Sequence, residues 1–300
     1  MSVFSLGSWR TFERLSREQG LEIMRAARDV GITFLDDARY DDETGTAPIP
    51  TGYSEVIFGE LFRAAGWRRE DVVVANKLWW EFWPAQRAAD ELDGSLQRMG
   101  LDHVDLIYAM EPAPGLAVAD LVAEVGGLIA SGRARAWGIG NWRPAPLVEA
   151  VAAARELGVP LPSVAQLPYS LSHSGWVADP AMDAVLADAD IALVASFVLA
   201  GGVLAGEHAA GGTGRATVDG VPPPEVAADP TVEALVALAR AWDVTPASLA
   251  VSFALAHPRV ASVLFGATSP EQLRQNVASL EVFESLGSDQ LDALARIAAP

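Results

Sequence analysis

The chain has 300 residues, of which 51% are hydrophobic, and this is enough to bury a large core and to exclude disorder as its main state. Its 39 acidic residues outnumber 21 basic ones, and the net charge of -18 opposes long-range attraction to nucleic acid or anionic lipid. The lack of cysteine excludes disulfides and thiolate metal sites, and we predict no metal site. Because we find no signal-peptide-like start and no apolar run of membrane-spanning length, we expect a cytoplasmic protein that acts on a small molecule.

The basic residues are themselves unevenly distributed between the two types. Lys77 is the only lysine, and every other basic residue is an arginine. Arginine cannot supply a compact ammonium whose pKa the surroundings can tune. The sequence therefore marks Lys77 as a candidate functional residue.

Short β-branched runs alternate with longer amphipathic stretches along the chain, which is typical of β-α units around a parallel sheet. The predicted strands cover residues 3–6, 33–35, 72–75, 104–109, 136–139, 163–166, 191–195 and 262–265. The predicted helices cover residues 16–30, 54–65, 84–99, 117–130, 146–157, 180–189, 231–242 and 246–256. Helix-start signals stand at Ser16, at Ser54 with Glu55, and at Thr245 before Pro246.

Eight such units predict an α/β fold of the closed (β/α)8 TIM-barrel type, with a doubly wound open sheet as the alternative. The open sheet would carry Gly-x-Gly-x-x-Gly after its first strand, but that strand continues into Gly7-Ser8-Trp9. We therefore predict a single barrel domain over residues 1–300, with a flexible loop near residues 207–229. The functional residues of such a barrel lie just past the carboxyl ends of its strands.

Those positions bring one lysine together with acidic and aromatic residues. Lys77 follows an apolar strand, so its partly buried ammonium requires an acceptor, and Asp36 at the end of the preceding strand is the natural partner. An ammonium close to a tyrosine stabilises the phenolate and lowers a pKa that is ordinarily about 10. The tyrosine can then act as a general acid toward a carbonyl oxygen that receives a hydride.

The ordered segments resemble those of the aldo-keto reductase family over nearly the whole chain. The segments that carry this resemblance are LGSW, GITFLDDARY, YSEVIFGELF, VVVANKLWW, RMGLDHVDLIYAMEP, WGIGNW, QLPYSL, LAGGVLAG and GATSPEQLRQN. The resemblance implies a nicotinamide-dependent barrel oxidoreductase in which Asp36 pairs with Lys77. It also implies a tyrosine acid, for which Tyr40 is preferred to Tyr53, although Tyr40 lies four residues past Asp36 where the family spacing is five.

The resemblance also implies a cofactor site. Asn141 and Gln166 would hold the nicotinamide carboxamide, and Tyr169 would stack on the ring. Glycines would admit the pyrophosphate, and a helix capped by Ser269 would face the adenosine phosphate. NADPH is favoured over NADH, although the cation found in many members near residue 266 is missing here and Arg274 is the nearby one. The predicted cofactor-binding set is Gly7, Ser8, Asn141, Gln166, Tyr169, Leu199, Gly201, Gly202, Gly266, Ser269, Gln272, Arg274 and Asn276.

One departure from the family pattern limits the functional prediction. The family's catalytic histidine falls on Met110, followed by Glu111, and methionine cannot donate a strong hydrogen bond. Three hypotheses stay open. The first is a carbonyl reductase in which Tyr40 and Lys77 suffice or Trp80 replaces the histidine. The second is a reductase of an imine or activated C=C bond, in which Glu111 or Tyr40 transfers the proton, and the third is a nicotinamide-binding regulatory or sensing barrel with weak or no turnover. The aromatic residues Trp9, Trp79, Trp80 and Trp142 predict a pocket for an apolar or ring-bearing substrate. The sequence does not indicate the oligomeric state.

Overall fold

The computed structural model describes residues 1–205 and 230–298. Within these residues eight parallel strands follow one another around a closed barrel, and the last strand pairs with the first. This confirms the (β/α)8 barrel and rules out the open sheet. The predicted loop near residues 207–229 lies outside the described residues. The single-domain assignment stays a prediction.

The strands agree in number and order with the sequence prediction. Their bounds are β1 Phe4–Gly7, β2 Phe34–Asp36, β3 Val73–Leu78, β4 Val104–Met110, β5 Ala134–Gly140, β6 Val164–Pro168, β7 Ala192–Ser196 and β8 Val260–Phe265. The largest difference is in β3, which continues three residues past its predicted end at residue 75. The ladder continues because Lys77 pairs in register with Tyr108 and the polar side chains of this part of β3 find buried partners.

Helices cover the outside of the barrel, as predicted. In the described residues they are α1 Arg17–Asp29, α2 Tyr53–Ala64, α3 Ala88–Met99, α4 Val118–Ala130, α5 Pro144–Leu157, α6 Gly175–Ala178, α7 Pro180–Asp188, α8 Pro230–Trp242, α9 Pro246–Leu255, α10 Pro270–Ser285 and α11 Ser288–Ile297. The short α6 and the terminal α11 were not predicted. Short 3₁₀ turns stand at Phe12–Arg14, Arg69–Asp71 and Ala200–Ala205.

The predicted helix starts hold at two of three places. Ser16 forms a reciprocal capping pair with Gln19, and the Thr245 side chain accepts from the Ser248 N–H. The Ser54-Glu55 signal was wrong, because α2 begins at Tyr53 after Gly52, which has a left-handed backbone. Ser54 Oγ instead donates to the Ala38 carbonyl at 2.7 Å, and the Glu55 carboxylate is fully buried against other elements.

Strand periodicity explains where the site lies. A buried cluster, separate from the main hydrophobic core, is formed by strand side chains that face the barrel interior: Phe34, Ala75, Leu106, Tyr108, Val164 and Val194. Successive strand side chains alternate between faces, so two residues further along the same strands the interior face carries Asp36, Lys77, Met110, Gln166 and Ser196. These side chains form the top layer of the barrel, at the carboxyl ends of the strands.

Among the described residues, no single helix is long and apolar enough to cross a membrane. Two consecutive helices, α8 and α9, meet these requirements only when taken together, and they are bent by 102° relative to each other.

Candidate active site

Lys77 and Asp36 form a buried ion pair at the top of the barrel. The Lys77 Nζ donates to Asp36 Oδ1, and the two side chains are only 6% and 2% exposed. Gln166 Nε2 donates to the other carboxylate oxygen at 2.8 Å. Burial by itself lowers the pKa of Lys77, but the attraction of Asp36 outweighs it and leaves the pKa above its usual value. Lys77 is therefore a fixed positive charge at neutral pH.

Tyr40, and not Tyr53, is the tyrosine that the fold places at this pair. Its hydroxyl lies 3.2 Å from Lys77 Nζ and accepts a hydrogen bond from it, and its ring lines the large cavity above the pair. The Tyr53 hydroxyl instead accepts from Arg17 at 3.0 Å, outside the barrel mouth. The four-residue spacing from Asp36 is therefore long enough for the phenol to reach the lysine.

The pKa of Tyr40 differs from the sequence-based expectation of a lowered value. Burial raises the pKa, Lys77 lowers it, and the nearby carboxylates of Asp36 and Asp37 raise it again, so that the net shift is upward. The lysine effect is present, but desolvation and two acidic neighbours exceed it. Tyr40 consequently carries its proton at neutral pH, which is the state that a general acid requires.

A second buried carboxyl lies beside the pair. Asp37 is fully buried, its Oδ1 accepts from the Ser8 hydroxyl, and its Oδ2 has no hydrogen-bond partner among the described residues. Burial, followed by repulsion from Glu55, raises its pKa well above the ordinary value. The Ser8 hydroxyl is thus directed to Asp37 and is 1% exposed, so the predicted contact of Ser8 with a cofactor is replaced by this internal bond.

A cavity of about 900 Å³ opens above the pair and extends along the mouth of the barrel. A volume in this range matches those of cofactor and ligand sites in proteins. Nine of the predicted cofactor-binding residues line it: Gly7, Asn141, Gln166, Leu199, Gly201, Gly202, Gly266, Gln272 and Asn276. Ser269 lies next to the cavity as the N-cap of α10, where its side chain accepts from the Gln272 N–H, whereas Arg274 is solvent-exposed on the same helix.

The lining residues fit a dinucleotide in three respects. The Asn276 Nδ2 is buried without a hydrogen-bond partner among the described residues, although its side chain lines the cavity. An unpaired buried amide donor is unfavourable unless a ligand accepts from it. Gly201 and Gly202 both have a left-handed backbone, which leaves space for close approach to phosphate oxygens. Finally, Thr268 and Gln272 line the cavity at the amino end of α10, where the helix dipole favours negative charge.

Tyr169 does not occupy the predicted stacking position. Its ring stacks on Phe253 at a centroid distance of 4.9 Å and meets His257 edge-on at 5.3 Å, and it borders a separate cavity of about 240 Å³. Phe197, which was not among the predicted site residues, lines the main cavity instead. It follows the end of β7 with a left-handed backbone, so its place after a strand end was the signal that could have identified it.

Two of the four tryptophans assigned to the substrate pocket belong to the core. Trp80 and Trp142 are 1% and 0% exposed, respectively, and pack in the main hydrophobic core. The Trp80 indole N–H donates to the Met110 carbonyl at 3.2 Å, so it is not available to replace a catalytic histidine. Trp9 and Trp79 do line the cavity, and the Trp79 ring meets Tyr40 edge-on with centroids 6.0 Å apart.

Met110 lies in the cavity wall at the end of β4. A Cβ built on Gly140 would be 2.6 Å from the Met110 sulfur, so the glycine of the neighbouring strand makes room for the thioether. Glu111 lies on the surface, where it accepts from the Arg143 N–H at 3.1 Å. Because Glu111 follows the interior-facing Met110, its side chain points away from the barrel interior. Its position therefore does not support the predicted role of Glu111 in proton transfer.

The described part of the chain holds no group of three or more histidine, aspartate or glutamate side chains arranged to bind a metal. The polar groups that line the cavity include instead the Lys77–Asp36 pair, the Tyr40 phenol and several side-chain amides, among them those of Asn141, Gln166 and Asn276. This arrangement lies at the carboxyl ends of the strands and defines the molecule as a (β/α)8 barrel with a ligand-sized cavity at the face where such barrels carry their functional residues.

The chain belongs to the aldo/keto reductase family, whose sequence model matches residues 4–299. Proteins of this family generally bind NAD(P)H. Two similar proteins are both described as "Probable voltage-gated potassium channel subunit beta". The one from Oryza sativa subsp. japonica is 29% identical over 98% of this chain and 92% of its own length. The one from Arabidopsis thaliana is 27% identical over 99% of this chain and 93% of its own length.

Proposed function

We propose that the protein is an NAD(P)H-dependent oxidoreductase that reduces the carbonyl group of an apolar or ring-bearing small molecule. The observation that carries this proposal is the chain of contacts from Gln166 through Asp36 and Lys77 to the Tyr40 hydroxyl at the cavity floor. When bound, the reduced nicotinamide would supply the hydride. NADPH is our choice of cofactor on the strength of the family resemblance, and the choice between NADPH and NADH is open to direct titration.

Each residue of the set has a definite part in the proposed reaction. Tyr40 donates its proton to the carbonyl oxygen as negative charge develops there. Lys77 then stabilises the resulting phenolate, and Asp36 keeps the lysine oriented and offsets its burial. Asn141 and Gln166 would hold the carboxamide of the cofactor, and Asn276 would donate to its phosphate-bearing end. Trp9 and Trp79 would pack against the apolar part of the substrate.

Met110 supports a second candidate substrate class. With a thioether where the family has histidine, a ketone oxygen loses one donor, and such a loss lowers rates by about a hundredfold or more. An imine or an activated C=C bond depends less on that donor, and its reduction uses the same hydride and the Tyr40 proton. The names of the two plant relatives support a third candidate, a barrel that binds the cofactor and associates with a potassium channel with little turnover of its own.

The three candidates can be separated by following NADPH absorbance and fluorescence with purified protein. The acceptors are aromatic aldehydes, ketones, cyclic imines and activated alkenes, and the variants are Tyr40→Phe and Lys77→Met, with Tyr53→Phe as the matched control. Carbonyl reduction requires oxidation of NADPH that Tyr40→Phe loses and Tyr53→Phe keeps. Turnover with imines or alkenes alone favours the second candidate, and tight binding without any turnover favours the third. No binding of NADPH or NADH rejects all three.

A further inference from the structure

Tyr40 reaches the lysine through a tight turn centred on the preceding residue. Its N–H donates to the Ala38 carbonyl at 2.9 Å, two residues back, which defines a γ-turn with Arg39 at its centre. Arg39 has no positive φ, so the turn is of the common inverse type. This turn is how a segment one residue shorter than the family pattern still presents the phenol to Lys77. The conformation of Arg39 therefore sets the direction in which Tyr40 leaves the strand.

The Arg39 side chain is buried and contacts other protein side chains instead of extending into solvent. The side chain is 6% exposed, and its guanidinium lies 2.6 Å from a Glu81 oxygen and 3.7 Å from a Glu91 oxygen. It also donates to Thr51 Oγ1 at 3.1 Å, on the strand-like segment whose backbone pairs with the residues after Tyr40. A buried guanidinium held at three points has little freedom, because its planar donors match several acceptors at once.

The same Glu91 carboxylate also fixes the other side of Tyr40. Glu91 is 3% exposed, and its two oxygens accept from the N–H groups of Trp79 and Trp80 at 2.8 and 3.3 Å. The Trp79 ring in turn meets the Tyr40 ring edge-on. The contacts therefore form a closed ring, from Tyr40 to Arg39 through the backbone, to Glu91, to Trp79 and back to Tyr40.

We propose that the Arg39–Glu91 pair is a positioning device for the acid, which holds the Tyr40 hydroxyl at hydrogen-bonding distance from Lys77. Arg39 and Glu91 touch neither the cavity nor the reacting atoms, and they act only through the γ-turn and through Trp79. This inference rests on the proposed function for its kinetic consequences, but the geometry it describes can be measured without turnover. Arg69 and Asp105 form a comparable half-buried ion pair at 2.7 Å near the amino ends of the strands and outside the cavity lining, and Arg69→Gln provides a matched control.

The first measurement is independent of activity. The chain has four tyrosines, so protein labelled with 3-fluorotyrosine gives four ¹⁹F signals, and the signal lost in Tyr40→Phe is that of Tyr40. We expect Arg39→Gln and Glu91→Gln to shift or broaden this signal while that of Tyr169 stays in place. Arg69→Gln should leave both signals unchanged. An unmoved Tyr40 signal in folded Arg39→Gln and Glu91→Gln overturns the proposal.

The second measurement is kinetic. Misplacing an acid by about 1 Å lowers the rate by up to about a hundredfold, so kcat should fall by about tenfold to a hundredfold in Arg39→Gln. The Kd for NADPH should stay within about twofold, because the cofactor contacts lie elsewhere in the cavity, and Arg39→Lys should recover part of kcat by restoring the charge beside Glu91. If the wild-type protein turns over no acceptor, the proposed function is rejected. The positioning role of Arg39 is then tested by the ¹⁹F signals alone.

Breaking a buried ion pair also destabilises a protein, so a double variant is included. Arg39→Gln combined with Glu91→Gln leaves no unpaired buried charge, and it should fold and bind NADPH with the same shifted Tyr40 signal. If both single variants and the double variant lose the fold and NADPH binding together, the pair serves stability only and the proposal is rejected. A fall in kcat with an unmoved Tyr40 signal rejects it as well.

Discussion

At the level of single residues, Met110 is the position that separates this chain from the family pattern. The thioether lines the cavity but offers no hydrogen-bond donor. We expect Met110→His to raise kcat/KM for aromatic ketones by about tenfold or more, because it supplies a donor of the kind whose removal elsewhere lowers rates by about a hundredfold. The measurement is steady-state NADPH oxidation, with Met110→Leu as the control of similar size. A gain in Met110→Leu, or none in Met110→His, contradicts the assignment of this position.

Asp37 leads to a prediction on pH and stability. Its pKa is raised in the folded state, so the folded protein binds this proton more tightly than the unfolded chain does. Stability contributed by that proton is therefore complete below about pH 4 and is lost as pH rises through the folded pKa. Asp37→Asn keeps the acceptor for Ser8 but cannot ionise. We expect the variant to gain stability relative to wild type as pH increases, as measured by urea unfolding at several pH values.

A constant difference between wild type and Asp37→Asn across the whole pH range would show that Asp37 does not change its protonation state on folding. Asp42 serves as the control site, because its pKa is shifted in the opposite direction, downward, chiefly by its hydrogen bond from Thr44. An Asp42→Asn variant should show the opposite sign, losing stability relative to wild type above the ordinary pKa of an aspartate.

At the level of elements, β5 carries two glycines that face different neighbours. A Cβ at Gly138 would lie 2.3 Å from the Val164 backbone oxygen, whereas a Cβ at Gly140 would meet the Met110 side chain. Backbone cannot move as readily as a thioether. We therefore expect Gly138→Ala to lower the free energy of unfolding by about 1–3 kcal/mol and Gly140→Ala to lower it by less, as measured by urea unfolding.

The effect of the two glycine variants on KM should follow the opposite order to their effect on stability. Gly140→Ala pushes Met110 into the cavity and should change KM for the carbonyl substrate, while any Gly138→Ala protein that folds should keep the wild-type KM. Equal stability losses in the two variants would mean that the strands adjust around β5, and this would contradict the close packing of β5 against β6.

The elements also mark the limit of prediction from sequence. Eight strands could be predicted because each contains a short, mostly apolar run, and Asp36 and Lys77 lie within two residues of the end of such a run. The burial of Trp80 and Trp142 in the core could not be predicted. Beyond a strand end, the backbone angles decide whether a side chain faces the cavity or the core, and the hydropathy pattern does not predict those angles. Trp80 adopts a left-handed backbone and turns inward, while Trp79 beside it lines the cavity. Tyr169 was misplaced for the same reason.

At the level of the whole molecule, the net charge of -18 acts on any anionic cofactor that approaches the barrel. In the described part of the cavity wall Lys77 is the only basic residue, and it is already paired with Asp36. We therefore expect the association rate of NADPH to increase with ionic strength, because salt screens the long-range repulsion. Stopped-flow fluorescence between about 0.01 M and about 0.15 M salt, where the screening length falls from about 30 Å to about 8 Å, measures this dependence.

A rate that falls with salt would indicate that a local positive field guides the cofactor in spite of the net charge. The control is a neutral carbonyl substrate, whose association the same change in ionic strength should leave unchanged. Binding itself should stabilise the fold, by about 2.7 kcal/mol at a concentration one hundred times the Kd, and thermal unfolding with and without NADPH provides that check.

The closure of the barrel has a consequence for the synthesis of the chain. Phe4 pairs with Val263, so the first strand made finds one of its two neighbours only when the last strand has left the ribosome. At about 5–20 residues per second, the nascent chain carries an open strand edge for tens of seconds. Such an edge is a template for pairing with other chains. A message truncated before residue 260 would thus yield a product whose edge stays open, and we expect that product to aggregate instead of accumulating as a smaller barrel.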